Sequence, residues 1–258
     1  MFPSKNKQIN YALKITELML LYCYKKNKTK NFAKLINDEC DIYRKTDLYN
    51  LRKKVFYKDS KKKWTKITKK IEELAKLNRN DFLKKSLRLL NPYLINRIKK
   101  NKTLVEYNTS AKFGCFDFSI VNKKVDLHMP VFRFIDPQYS GKKFFTSYQK
   151  FILRSEDLLN LISFVRKKHP SLSYVQMGSW MNQYEQFRVL FPKSWLPNGK
   201  IKKKNSIAWW GQFLKSDGDI NMKLYRKFKK NLRFEYSGIF YQCKIRELYK
   251  HLKKIKND

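Results

Sequence analysis

Glycine and proline are scarce, with seven of each in 258 residues. That excludes collagen-like and linker-like character. Cysteine is sparser still. Cys23, Cys40, Cys115 and Cys243 show no C-x-x-C spacing, and only three histidines accompany them. A structural zinc site needs four close-set ligands, so none is expected. Four scattered cysteines read as reduced, mostly buried thiols of a cytoplasmic protein. No long apolar run is present. The best, Leu18 to Tyr24, falls far short of the roughly 18–20 residues of a membrane span. It follows a basic start, as a signal peptide would. Glu17 abuts it, however, and Lys25-Lys26 stand where a small-residue cleavage site belongs. Acidic residues are few as well, 21 against 59 basic, for a formal charge of +38.

What is present is apolar and aromatic. The hydrophobic fraction is 42%, with 19 Phe, 16 Tyr and 5 Trp. That suffices for a real core and excludes wholesale disorder. The length allows one large domain or two small ones, at roughly 100–200 residues per domain. Of the basic residues 47 are Lys and only 12 Arg, and Ala occurs five times. Clustered cations would suit a polyanion partner, because they release counterions from phosphates. Nucleic-acid readers favour Arg for its bidentate fork, however. Abundant Lys, Asn, Ile, Phe and Tyr is also the bias of an AT-rich genome. Both readings of the charge stay open.

The charge is uneven. Residues 1–103 carry a net +20, residues 104–198 only +6, and residues 199–258 carry +12. The first block reads as helical. Ile9, Leu13, Leu20 and Tyr24 recur at helical spacing. A second helix fits Asn31 to Cys40. A third starts near Ser60 or Thr65 and carries Ile67, Ile71, Leu74 and Leu77. A fourth opens at Asn80-Asp81 and is expected to be interrupted at Pro92.

From about residue 104 the pattern changes. Residues 115–121 and 125–129 alternate apolar and polar around Asn122-Lys123, which predicts a hairpin with a tight turn. A long connection covers 134–154. Ser155 reads as the N-cap of a helix stopped by Pro170. Ser173 to Met177 reads as a strand ending at Gly178-Ser179-Trp180, followed by a helix from Gln183 to Leu190. Strand, crossover helix and strand give a mixed α/β (α+β) sheet. The expected organisation is a basic helical region at 1–103 and a mixed-sheet domain at 104–258. The tail of that domain, with Trp209, Trp210, Phe213 and a helix over Asp219 to Leu232, is expected to dock on the sheet.

Several constellations bear on chemistry. The two-residue turn sets Asp117 opposite His128 and Ser119 opposite Asp126. A carboxylate beside an imidazole raises its basicity and suits a general base. The same pair is also an ordinary cross-strand contact. Ser179 either caps the next helix or borders an anion site at its start. Lys142, Lys143 and Arg154 precede a helix and would meet phosphates there, or belong to a solvated loop. In the helical region, Lys62, Lys66, Lys69 and Lys70 share one side of a helix, the arrangement a nucleic-acid surface needs.

Two resemblances follow from these motifs. Gly178-Ser-Trp through Leu190-Phe-Pro192, the hairpin and Trp210-Gly211-Gln212 resemble an uncharacterised bacterial protein family, over about residues 115–215. That likeness implies no activity. The order hairpin, long loop, helix, strand, helix resembles the core of the GNAT acyl-CoA N-acyltransferases. It implies an acyl-CoA co-substrate, a pyrophosphate site at the loop before the crossover helix, and an acyl or acceptor pocket beside Ser179 and Trp180. The family's Gly-rich loop signature is absent here. The leading expectation is an acyltransferase-like domain with His128 as base and Asp117 orienting it. The alternatives are a nucleic-acid-binding protein acting through its basic helices, and a non-catalytic relic of the fold.

Overall fold

The computed structural model describes residues 4–50, 53, 55–100, 113–129, 147–200, 210–215 and 219–257. Lys142 and Lys143 lie outside them. In chain order the elements are α1 (Lys5–Lys26), α2 (Phe32–Lys34, running on as a π turn Leu35–Glu39), β1 (Tyr49–Asn50), β2 (Val55–Phe56), α3 (Ser60–Leu74) and α4 (Arg79–Lys100). Then come β3 (Asp117–Val121), β4 (Lys124–His128), α5 (Ser147–Lys168), β5 (Tyr174–Ser179), α6 (Glu185–Arg188) and β6 (Leu196–Lys200). The chain closes with α7 (Met222–Asn231), β7 (Ile239–Lys244) and α8 (Ile245–Asn257). This is an α/β fold with N-terminal helices. Among the described residues no helix is long and apolar enough to cross a membrane.

Two compact units form. One joins residues 3–106 to 203–235, the other residues 107–202 to 236–258. In the helical unit, α1 packs on α4 and on α7. The run Leu18 to Cys23 is buried without a break, as expected of a helix surrounded by protein. Asn31 caps α2 by accepting the Lys34 N–H at 3.0 Å. On α3, Trp64, Ile67, Thr68 and Ile71 are buried at spacings of three and four, the stripe an amphipathic helix needs.

Two expectations are corrected in this unit. Pro92 lies inside α4 and does not interrupt it. Proline removes the N–H that would bond the carbonyl of residue 88. Pro92 and Arg88 both lie on the exposed side, where water can take that carbonyl. The segment 210–235 belongs with the N-terminal helices, not with the sheet. The physical reason is an apolar α1 that needs cover on several sides. Trp210, Phe213, Phe228 and Phe234 form an aromatic cluster with centroids 4.9–6.1 Å apart. Trp210 meets Tyr22 of α1 edge-on at 6.2 Å. Glu17 anchors α7 by accepting from Tyr225 Oη at 2.6 Å and Lys229 Nζ at 2.7 Å.

The sheet unit holds five strands in the order β3-β4-β5-β7-β6. The hairpin has the expected register, with Asp117 opposite His128, Ser119 opposite Asp126 and Val121 opposite Lys124. Asn122 and Lys123 both take positive φ, 49° and 57°, as a type I′ turn requires. β4 and β5 are parallel and joined through α5. β7 pairs antiparallel with both β5 and β6. Val125 and Leu127, Val175 and Met177, Tyr241 and Cys243 point to one face. There they meet Leu158, Leu161, Ile162 and Val165 of α5 and Leu248 and Leu252 of α8. Each such buried aliphatic side chain contributes about 1.5–3 kcal/mol. Alternation puts Lys124, Asp126, His128, Gln176, Gly178 and Gln242 on the other face.

Ser155 is not the cap of α5. The helix starts at Ser147, and Ser155 Oγ donates to the Ile152 carbonyl at 2.6 Å. The preceding residues continue the helix because they pack: Phe151 lies against the core. A clamp ties the hairpin to this helix. Gly114, at φ 54°, lies so close to the Asp157 carboxylate that any Cβ would overlap it. Asp157 Oδ2 accepts the Cys115 N–H at 3.0 Å.

Candidate functional site

His128 ends β4 on the polar face, and its side chain is half exposed. Its Nε2 lies 2.9 Å from Ser119 Oγ and 3.9 Å from Asp126 Oδ2. Asp126 Oδ1 accepts from Gln176 Nε2 of β5 at 3.4 Å. Burial pushes the Asp126 carboxyl up, while His128 and the Gln176 hydrogen bond act the other way. Asp117 is opposite His128 in register, and its Oδ1 accepts its neighbour Phe118's N–H at 2.9 Å. The strand pair and the places of Asp117, Ser119 and Asp126 agree with the register expected from the sequence. The imidazole contacts Ser119 and Asp126, not the directly opposed Asp117 that the expectation paired with it.

Geometry limits the chemistry. Hydroxyl and carboxylate face the same imidazole nitrogen, so they do not form a Ser-His-Asp relay, in which each takes a different one. Ser119 Oγ shares the hydrogen bond with Nε2, and Asp126 at 3.9 Å acts on the ring through its charge rather than through a hydrogen bond. The arrangement suits a general base oriented from one side.

The parallel ladder between β4 and β5 holds two pairs, Val125 with Val175 and Asp126 with Gln176. Both strands run on past it, to His128 and to Ser179. At Gly178 an added Cβ would come within 2.6 Å of Phe240 Cε1, so glycine is what lets that ring lie across the strand.

Ser179 is buried, and its Oγ accepts the Met181 N–H at 3.1 Å. It therefore serves as a cap, the first of its two expected roles. Trp180 packs with Tyr184 at 5.4 Å and Tyr236 at 5.9 Å, and those two rings lie 4.5 Å apart. Tyr184 and Tyr236 were not legible as neighbours, because 52 positions separate them. Buried Asn182 donates to the carbonyls of Met177 at 2.8 Å and Ile239 at 2.9 Å, pinning β5 to β7.

Arg154 departs from its expected place. It sits two turns inside α5, away from the free N–H groups of a helix start. Its charge acts on Cys115, lowering a thiol that burial and Asp157 push well up. In the helical unit, Lys62, Lys66, Lys69 and Lys70 are all exposed on α3, opposite Trp64, Ile67 and Ile71. Compared with protein-family models, curated proteins and solved structures, the chain matches none.

Proposed function

We propose that the sheet unit is an acyltransferase-like domain that takes an acyl thioester, acyl-CoA, as donor. The observation that carries this reading is the short parallel ladder. Beyond Asp126 and Gln176, β4 and β5 run on without pairing to each other. An extended ligand bearing amides can pair there as an added strand. The place is also the carboxyl end of a parallel pair, where open α/β sheets seat ligands. His128 stands at that end with Ser119 and Asp126 beside it.

The chemistry is proton transfer coupled to acyl transfer. An acceptor amine or hydroxyl attacks the thioester carbonyl, and His128 takes its proton. Asp126 stabilises the imidazolium that results. The carbon–sulfur bond breaks, the acyl group stays on the acceptor, and the thiolate leaves and takes up a proton. Trp180, Tyr184 and Tyr236 offer an aromatic wall beside the strand end. Lys142 and Lys143 remain the sequence-based candidates for the donor's phosphates.

Thermal melts with acetyl-CoA and longer acyl-CoAs test binding. A ligand of the native state raises the melting temperature by mass action. Thiol release in the presence of amine acceptors tests chemistry. His128→Gln keeps the melting shift and loses release by about 100-fold, in the range of a lost general base. Absence of any shift across chain lengths overturns the reading, as does full release by His128→Gln.

A second reading rests on α3. Its four exposed lysines on one side suit a phosphate backbone, and their salt dependence separates a nucleic-acid partner from composition.

A further inference from the structure

A cavity of about 560 Å³ opens where the α5–β5 turn meets the β7–α8 junction. The volume falls within the roughly 300–1,000 Å³ typical of small-molecule sites. Its charged lining residues are Arg166, Lys244 and Arg246, and none of the lining residues among those described is acidic. They come from three elements, the last turn of α5, the end of β7 and the start of α8. Two of the chain's 12 arginines line it, in a protein whose other 47 basic residues are Lys. The junction is fixed in place, since the Ile245 N–H donates to the Ser173 carbonyl at 2.9 Å.

Arg166 is oriented. Its guanidinium stacks 4.0 Å from the centre of the Tyr249 ring, which leaves its in-plane N–H donors to bind a planar or tetrahedral anion. Glu247, the acid of the first turn of α8, accepts a hydrogen bond from Ser194 Oγ at 2.6 Å. The rest of the lining is apolar and aromatic, from Pro170, Leu172 and Tyr174, and Tyr174 is the cross-strand neighbour of Lys244. Tyr174 is 39% exposed, enough for a ring to stack on it. Lys124 Nζ lies 5.9 Å from the Tyr174 ring centre and adds a fourth cation nearby.

Cations alone would suit a bare anion, but an inorganic phosphate fills little of this volume. We propose that the cavity binds a nucleotide, with Arg166, Lys244 and Arg246 on its phosphates and Tyr174 and the apolar wall against its base. Any base has a π-face that stacks on an aromatic side chain, and charged hydrogen bonds to phosphate supply the rest. The site lies at the amino end of β5, whereas His128 and Ser179 stand at the carboxyl ends of their strands. It is therefore separate from the acyl-transfer site.

Calorimetric titration with ADP, adenosine and inorganic phosphate tests this at physiological salt. ADP binds saturably, phosphate binds more weakly, and adenosine does not bind. Replacing Arg166 and Arg246 together with Ala weakens ADP by at least about tenfold. Tyr174→Ala weakens ADP and leaves phosphate unchanged. Replacing Lys62, Lys66, Lys69 and Lys70 with Ala leaves ADP binding unchanged. The proposal is overturned if ADP does not bind, binds no better than phosphate, or binds equally well to the double arginine variant. Equal weakening by the α3 lysine variant overturns it too, since charge alone would then explain binding. Because CoA contains ADP, thiol release from acyl-CoA is measured in parallel, and the double arginine variant retains it. Loss of release in that variant would place the nucleotide part of the donor here, and the separate site would be refuted.

Discussion

The contact between Gly114 and Asp157 permits a sharp test of what holds the hairpin on α5. Gly114→Ala has two consequences. A non-glycine residue at φ 54° costs about 1–2 kcal/mol. The new Cβ also overlaps the Asp157 carboxylate, which must swing away and give up the Cys115 N–H it accepts at 3.0 Å. A hydrogen bond to a charged group is worth about 1.5–3 kcal/mol. The single substitution therefore costs about 2.5–5 kcal/mol. Asp157→Ala alone costs about 1.5–3 kcal/mol by the same bond. With the carboxylate already gone, adding Ala at position 114 costs only the backbone term, about 1–2 kcal/mol. The double variant thus loses about 2.5–5 kcal/mol, less than the sum of the singles by about 1.5–3. Urea titration read by hydrogen exchange at the Val125 and Val175 amides follows the sheet unit alone, which matters in a chain of two units. Additivity within about 0.5 kcal/mol would refute the reasoning. So would a Gly114→Ala cost below about 1 kcal/mol, which is less than the backbone term by itself.

Gly178→Ala forces the Phe240 ring off β5 and costs about 1–3 kcal/mol by overpacking. A melting curve identical to the wild type's would show that the ring yields freely. Lys45 is held down to about 8 from 10.5, by burial first and by Arg44 second. The unfolded state then binds more protons between those values, so wild-type stability rises with pH across them. The advantage of Lys45→Met over wild type is therefore largest below pH 8 and shrinks toward pH 10, and a constant difference in urea midpoints contradicts this. For α3, nucleic-acid affinity should fall with salt at a log–log slope of about −0.9 per duplex phosphate. Alanines at Lys62, Lys66, Lys69 and Lys70 should flatten that slope by a few units, and an unchanged slope makes the charge compositional.

Elements whose evidence is local could be read from the chain. The hairpin was legible because apolar residues match across one register and Asn122-Lys123 tolerates positive φ. The face of α3 was legible because Ile67, Ile71 and Leu74 repeat at helical spacing, and Trp64 joins it in the structure. The opposition of Asp117 and His128 followed from strand pairing alone. So did the places of Ser119 and Asp126 beside them, but not which of the three touches the imidazole. Ser119 reaches the imidazole along a cross-strand diagonal and Asp126 from two positions back on the same strand, and side-chain rotamers decide between such contacts.

The half of the sheet beyond β5 had no such local evidence. Ile239–Lys244 alternates as a strand should, but α8 begins at once at Ile245 without a turn residue, so the two periodicities run together. Leu196–Lys200 carries Pro197 and Gly199 and reads as a turn. It is a strand only because it lies at the edge, with a register shift between Pro197 and Lys200, where a missing N–H is tolerated. The destination of residues 210–235 had no local signal either. Burial in a core is pairwise, and nothing in an aromatic segment states which apolar surface, α1 or the sheet, it will cover.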